Sequence, residues 1–414
     1  MDNIPLLYGE EPVVYSNPVT RKNLFQRMLE GESLQDLMVR GFDGGTLERA
    51  DVLVPTADGS DINEIWAEIQ QILSVWNSQR DRLIDYLTFQ VTDVIDYVGV
   101  PVEVDFEEAT EYGKPKGIRG QGFYTRGYDF KFYDLAIRYT WLFLAEAGRA
   151  QIDQYTNMAL EADNRLLFNK VMSTVFNSAN GVGIADKNIP TTVYKFYNGD
   201  GEVPPTYKNI TFTGSHSHYA TSYGLPSQVN NAQLQPQTLD DLESDFYNHG
   251  YTLQNGYDLV LWVNRAQGVA IRKFKVLNGA TYDFIPSQHV GGGVILPASM
   301  GIVGRPDGSP VQGEIGTYGP WHIIEEPYIP AGYIVALVSG GQLNINNPVG
   351  FREHINPALG GLQLVAGDNG AYPLKEAHYR RGFGTGVRQR GGGYVVQLVA
   401  STSTTYTVPA AYNQ

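Results

Sequence analysis

A chain of 414 residues with 44 acidic and 30 basic side chains carries a formal charge of −14, which argues against a protein that grips nucleic-acid phosphates through a basic face. Its 42% hydrophobic content suffices for a core. Cysteine is absent, so disulfides and thiolate metal sites are excluded and a reducing cytoplasm is the natural place of synthesis.

Met1 to Val14 carries Asp2, Glu10 and Glu11 without a basic start or an apolar run, so no signal peptide is expected. No apolar stretch approaches the roughly 20 residues that span a bilayer, and a soluble, unexported protein is expected. Residues 1 to about 58 mix Pro5, Pro12, Pro18 and Pro55 with Gly41, Gly44 and Gly45 around a short amphipathic stretch, Arg21 to Met38. They read as an extended arm with one short helix.

Asp61 followed by Glu64 predicts a capped helix start. Ile62, Ile65, Trp66, Ile69, Ile72, Leu73 and Trp76 then fall on one stripe at three- and four-residue steps. From Leu87 the period changes to two, with Leu87, Phe89 and Val91 on one side. A second alternating run holds Tyr124, Tyr128, Phe130 and Phe132 in phase. Between the runs lies the polar, glycine-rich stretch Glu107 to Gly122, so the pattern predicts a long hairpin with a charged tip. Asp134 opens a run without proline reaching about Asn177, which predicts a helix on the order of 60 Å long. Gly181 to Pro236 is rich in Gly, Pro, Asn, Ser and Thr, and a helix follows at Leu239 to Asn248. The run YDLVLWVN beginning at Tyr257 fits a buried strand. Short strands continue to Val338, with further strand signals from Gly350 to Val408.

Few residues invite a chemical reading. His216 and His218 alternate, so on a strand both would face one way as two metal ligands might. No further His, Asp or Glu stands at an obvious ligand spacing, and polar residues of a surface loop beside Ser215, Ser217 and Tyr219 are the preferred reading. Gly382, Gly384 and Gly386, like Gly391 to Gly393, lack the strand–turn–helix context of a phosphate loop and read as bends between strands. His249, His322, His354 and His378 support no functional assignment, and no G-x-S-x-G nucleophile elbow is present. No catalytic residue, cofactor or metal ligand is therefore assigned. Two charged groups remain. Glu107, Glu108 and Glu111 with Lys114, Lys116 and Arg119 make a bipolar hairpin tip suited to contact with a neighbouring subunit, or simply to solvent. Arg380, Arg381, Arg388 and Arg390 fit inter-subunit pairing, contact with DNA, or local salt bridges at strand edges.

The order of arm, helix, charged-tip hairpin, long helix, mixed region and closing strands resembles the Hong Kong 97-like fold of tailed-bacteriophage major capsid proteins, an α+β fold shared in outline with encapsulins. The segments GYDLVLWVNRAQGVAIRKF (256–274), GTYGPWHIIEEPYIPAGY (316–333), NPVGFREHINPALGGLQLV (347–365) and YRRGFGTGVRQRGGGYVVQLVA (379–400) resemble capsid proteins of phages infecting actinobacteria. The resemblance implies an arm (1–60), a peripheral domain with the spine helix (61–83, 132–180 and 347–414), an extended loop (84–131) and an axial domain (181–346). It implies a subunit that assembles with itself into hexamers and pentamers in the host bacterial cytoplasm and resides in the virion. A separate scaffolding protein, a portal and a decoration protein where one is used are the implied partners. Packaged double-stranded DNA would be touched only weakly and without specificity, and no membrane is involved. The rival readings are an encapsulin-like compartment and, from another class, a metal-dependent enzyme using His216 and His218.

Overall fold

The computed structural model describes residues 56–286 and 314–413, except 79–85, 101–105, 110, 115–116, 118–121, 187–188 and 367–372. The expected arm up to residue 55, with its short helix, lies outside the described residues. In chain order the elements are α1 (Ile62–Ser78), β1 (Thr88–Val91), β2 (Ile95–Gly99), β3 (Phe123–Gly127), β4 (Lys131–Thr140), α2 (Trp141–Glu146) and α3 (Arg149–Phe176). Next come β5 (Gly181–Asp186), β6 (Ile189–Val193), β7 (Tyr219–Thr221), α4 (Pro236–Asn248), β8 (Asp258–Val263) and α5 (Arg265–Ile271). The described chain closes with β9 (Phe284–Pro286), β10 (Glu314–Tyr318), β11 (Trp321–Glu325), β12 (Tyr333–Ser339), β13 (Val349–Glu353), β14 (Leu362–Ala366), β15 (Leu374–Val387) and β16 (Gly393–Gln397).

Two sheets organise these strands. One has five, in the order β1-β13-β15-β14 with β4 also paired to β15. The other has seven, in the order β7-β16-β12-β8-β11-β10-β9. The closing strand β16 thus joins the second sheet rather than the first. Strands β2 and β3 form a separate two-stranded ribbon, as do β5 and β6.

Strand β8 is buried on both faces, as its unbroken apolar run predicts. Leu259, Leu261 and Val263 face a core shared with Leu239, Leu242 and Phe246 of α4. Val260 and Trp262 face the opposite core, which includes Phe168, Met172, Val175 and Phe176 of α3. Helix α1 buries Ile62, Ile65, Trp66, Ile69 and Leu73 of its predicted stripe against the five-stranded sheet, while Ile72 points outward. Asp61 caps it, its carboxylate accepting from the Asn63 N–H at 2.7 Å.

Two expectations change. Residues 134–140, expected to open the helix, are strand: β4 pairs antiparallel with β15 over ten residue pairs, Lys131 opposite Phe383 through Thr140 opposite Leu374. Tyr133, Leu135, Ile137 and Tyr139 also satisfy period two, and a partner strand far along the chain decides between the periods. The long helix starts at Arg149 after a break at Ala147 and Gly148, both extended, and its 28 residues span about 42 Å at the standard rise. The hairpin also shortens. Its outer strands do not pair with each other, because β1 runs parallel to β13 and only β2 and β3 form the ribbon.

Helix α3 joins the layers. Ile152 and Ala159 pack with α1 and the five-stranded sheet, Leu167 and Val171 meet Phe351 and Phe383, and the last turns enter the core under the seven-stranded sheet. Within this apolar seam Asp163 of α3 is paired with Arg381 of β15 at 2.9 Å, both side chains nearly inaccessible. Trp76 of α1 donates its indole N–H to the same carboxylate at 3.2 Å. Asp163→Ala is expected to leave a buried guanidinium and a half-buried indole N–H deprived of that carboxylate, costing about 3–5 kcal/mol. Thermal unfolding of the purified variant checks this, and a midpoint equal to wild type would show that the three elements do not depend on the pair.

Candidate functional site

The β2–β3 ribbon carries the charged stretch singled out in the sequence. The ribbon pairs Ile95 with Gly127 through Gly99 with Phe123. Towards its tip Phe106, Glu107, Glu108, Tyr112 and Lys114 are exposed, as is Glu111. Lys116 and Arg119, also read as tip charges, lie outside the described residues. Phe106 and Tyr112 are at least nine-tenths exposed, and Tyr97 and Phe123 expose well over half their surface. A monomer gains nothing from large aromatic side chains in water, and exposed apolar patches of this kind are common where proteins meet.

An isolated two-stranded ribbon is marginal in water, so its root needs support, and the C-terminal arginines give it. The turn between β15 and β16 carries Arg388 and Arg390. Arg388 pairs with Asp96 of β2 at 2.7 Å. Arg390, completely buried, donates to Asp200 at 2.8 Å, to the Lys195 carbonyl at 2.8 Å and to Asn198 at 3.1 Å. It also meets Glu202 at 3.1 Å, and Glu202 in turn accepts from Arg126 of β3 at 3.0 Å. The ring of Tyr194 lies about 5.0 Å from both guanidiniums. Burial pushes the Asp200 carboxyl up, but hydrogen bonds from Arg390 and Asn180 outweigh it and hold the group below its ordinary value. Asp96 and Arg126 are direct partners across the ribbon, so the clamp takes hold of both strands at one level.

Of the four C-terminal arginines, three are thus engaged within the chain: Arg381 in the helix–sheet seam, Arg388 and Arg390 at the ribbon root. Arg380, half-buried, stacks over Phe132 of β4 at 4.3 Å. The neighbouring glycines have a reason that differs from the expected bends. A Cβ on Gly384 would stand 1.6 Å from the Asp129 carbonyl, one on Gly382 would strike the Phe132 ring, and one on Gly386 would strike the Gly127 carbonyl. Alternate glycines on one face of β15 therefore make a bare track, and the link from β3 to β4 lies directly on it.

His216 and His218 do not sit in a plain surface loop. Their ring nitrogens come within 2.8 Å of each other and meet the Nε2 of His249 at 3.0 and 3.1 Å, with the Asp245 carboxylate beside them. His249 stands 31 residues beyond His218, so no local spacing connects them. The missed signal was Asp245 and His249, four apart at the end of a predicted helix and so on one face of it.

No protein-family model matches the chain, and no curated protein matches it. Among solved structures, one from Mycobacterium phage Patience is 39% identical with a TM-score of 0.64, covering 89% of this chain and 96% of its own. The asymmetric unit of the mature capsid of bacteriophage PhiM1 aligns with 11% identity and a TM-score of 0.45, over 76% of this chain and 86% of its own. The holo-SrpI encapsulin complex of Synechococcus elongatus aligns with 14% identity and a TM-score of 0.41, over 91% of this chain and 100% of its own. The last two likenesses are too loose to bear on function.

The clamp predicts that Arg388→Ala will speed amide exchange in Ile95–Gly99 and Phe123–Gly127 roughly fivefold, the worth of about 1 kcal/mol for a partly buried pair. The exchanged pair Asp96→Arg with Arg388→Asp should recover much of the protection. Unchanged exchange in the single variant would show that the ribbon root holds without it.

Proposed function

Because the chain belongs to the major capsid proteins of tailed bacteriophages, with the Hong Kong 97-like fold, we propose that it closes an icosahedral head around double-stranded DNA chiefly through its ribbon tip. The observation that carries this is the exposure of Phe106 and Tyr112 beside Glu107, Glu108, Glu111 and Lys114, on a ribbon clamped at its root and uncovered at its end. A neighbouring subunit would bury the aromatic rings and pair the charges, Lys116 and Arg119 included. Arg380, on the β4 side of β15, is the C-terminal arginine still suited to a contact between subunits.

The finer organisation follows the same reading. Subunits would gather as hexamers and pentamers in the host bacterial cytoplasm, guided by a separate scaffolding protein, joined by a portal and by a decoration protein where one is used. Residues 1–60 would serve as the arm, 84–131 as the extended loop, and 181–346 as the axial domain around the symmetry axes. The peripheral domain would take 61–83, 132–180 and 347–414. The charge of −14 suits a wall that touches packaged DNA without gripping it, and the role is structural rather than enzymatic. No described helix is long and apolar enough to cross a membrane.

Reversing Lys114 and Lys116 to Glu, and separately replacing Phe106 and Tyr112 by Ser, should abolish or greatly reduce shells while leaving the subunit folded. Electron microscopy with circular dichroism of the same preparations reads both. Normal shells from both variants would remove the tip from the assembly contact. Shells carrying protein cargo and no DNA during infection would favour the compartment reading.

A further inference from the structure

The four side chains at His216, His218, Asp245 and His249 come from two separate pieces of chain. His216 and His218 lie on the loop leading into β7, whereas Asp245 is in the last turn of α4 and His249 caps its end. The three Nε2 atoms stand 2.8, 3.0 and 3.1 Å apart. A hydrogen bond needs one donor and one acceptor, and three mutual contacts cannot all be assigned that way. Whichever tautomers the rings adopt, two donors or two lone pairs face each other within 3.1 Å. Hydrogen bonding therefore does not account for the arrangement, whereas a cation shared by three lone pairs would.

Three further observations agree. The Nδ1 of His218 lies 2.7 Å from the Gly393 carbonyl. A carbonyl can only accept, so the proton is on Nδ1 and the Nε2 lone pair points into the cluster, the usual way a ligand histidine is oriented. The Asp245 carboxylate approaches the three nitrogens at 3.4–3.9 Å, and its Oδ2 is buried with no hydrogen bond. Around them Phe212 stacks on His249 with ring centres 4.1 Å apart, and Tyr394 stacks on His218 at 4.9 Å, so water is largely kept out.

We propose that His216, His218, His249 and Asp245 bind one divalent transition-metal ion, zinc by the character of the ligands, in a closed structural site. Three imidazoles and a carboxylate suit zinc, and tetrahedral zinc–nitrogen bonds set neighbouring nitrogens about 3.3–3.4 Å apart. The rings need open by only a few tenths of an ångström to meet that. Four protein ligands leave no position for a substrate, so the site is structural and not catalytic. It pins the loop before β7 to the end of α4 and, through Gly393, to β16 in the seven-stranded sheet. That loop has little regular structure of its own, and metal binding would supply folding free energy there.

The test uses untagged full-length chain expressed with zinc in the medium. Elemental analysis should find about one zinc per chain. Removal by EDTA should lower the unfolding midpoint by about 5–10 °C, reversed by zinc. Cobalt in place of zinc should give the intense visible bands of a tetrahedral site. His216→Ala, at the most accessible of the three histidines, should carry no zinc and melt like the stripped wild type, whereas His322→Ala should keep its zinc. Folded wild type without zinc and indifferent to added zinc would overturn the proposal, as would His216→Ala that still binds the ion at full stoichiometry. Should His216→Ala not fold, chelation, zinc restoration and cobalt spectra on the wild type decide alone, and octahedral cobalt spectra would reject the site.

Discussion

Helix α3 is the constraint on which the remaining architecture depends. It has no single apolar face, because the surface it must bury changes along its length. Its first turns offer Ile152 and Ala159 to α1 and the five-stranded sheet, and its last turns offer Phe168, Met172, Val175 and Phe176 to the seven-stranded sheet. One rigid element thus belongs to two cores, and the sheets cannot move independently without withdrawing it from one of them. The buried Asp163–Arg381 pair lies midway, where a misplaced helix would leave two unpartnered charges. Such a pair adds little net stability over apolar residues, but it penalises any other register severely.

Strand β15 has a comparable role for the surface. Its glycine track lets the chain between β3 and β4 lie flat against it, and the turn after it presents Arg388 and Arg390 to the ribbon root. Routing and anchoring of the ribbon therefore come from one strand and its turn. The consequence is a division along the ribbon: ion pairs and stacked rings fix the root, whereas exposed aromatic and charged residues crowd the tip. In the assembly proposed above, the direction of the ribbon would be set before assembly and the tip contacts would form during it, so less ordering would remain to be done on association.

The histidine cluster extends the same logic to the loop-rich part of the chain. From Tyr194 to Gln235 regular structure is sparse, and a segment of that kind must offset roughly 1–2 kcal/mol of backbone entropy per residue. Buried tyrosine and phenylalanine rings supply part of this. A ligand cluster joining that segment to the end of α4 would supply more at a single point, and in a protein without cysteine no disulfide could take its place.

Periodicity by itself determined the elements whose burial is uniform. The stripe of α1, the doubly buried run of β8 and the helix ending near Asn248 were all legible, because one residue spacing fits each of them. Resemblance in the C-terminal half also pointed to the capsid fold before any coordinates. Only the tertiary structure decided what depends on partners distant in sequence. Residues 131–140 fit two periods, and ten pairings with β15 made them a strand. Leu87 to Val91 looked like one side of the hairpin but found β13, over 250 residues later. Arg388 and Arg390 are ordinary charges in sequence and became a clamp only when the turn met Asp96 and Glu202. His249, 31 residues beyond His218, joined the pair only when the loop before β7 met the end of α4. Local pattern reports which side of an element will be buried; it carries no record of which other element will bury it, because that choice is made by surfaces that exist only after the chain has folded.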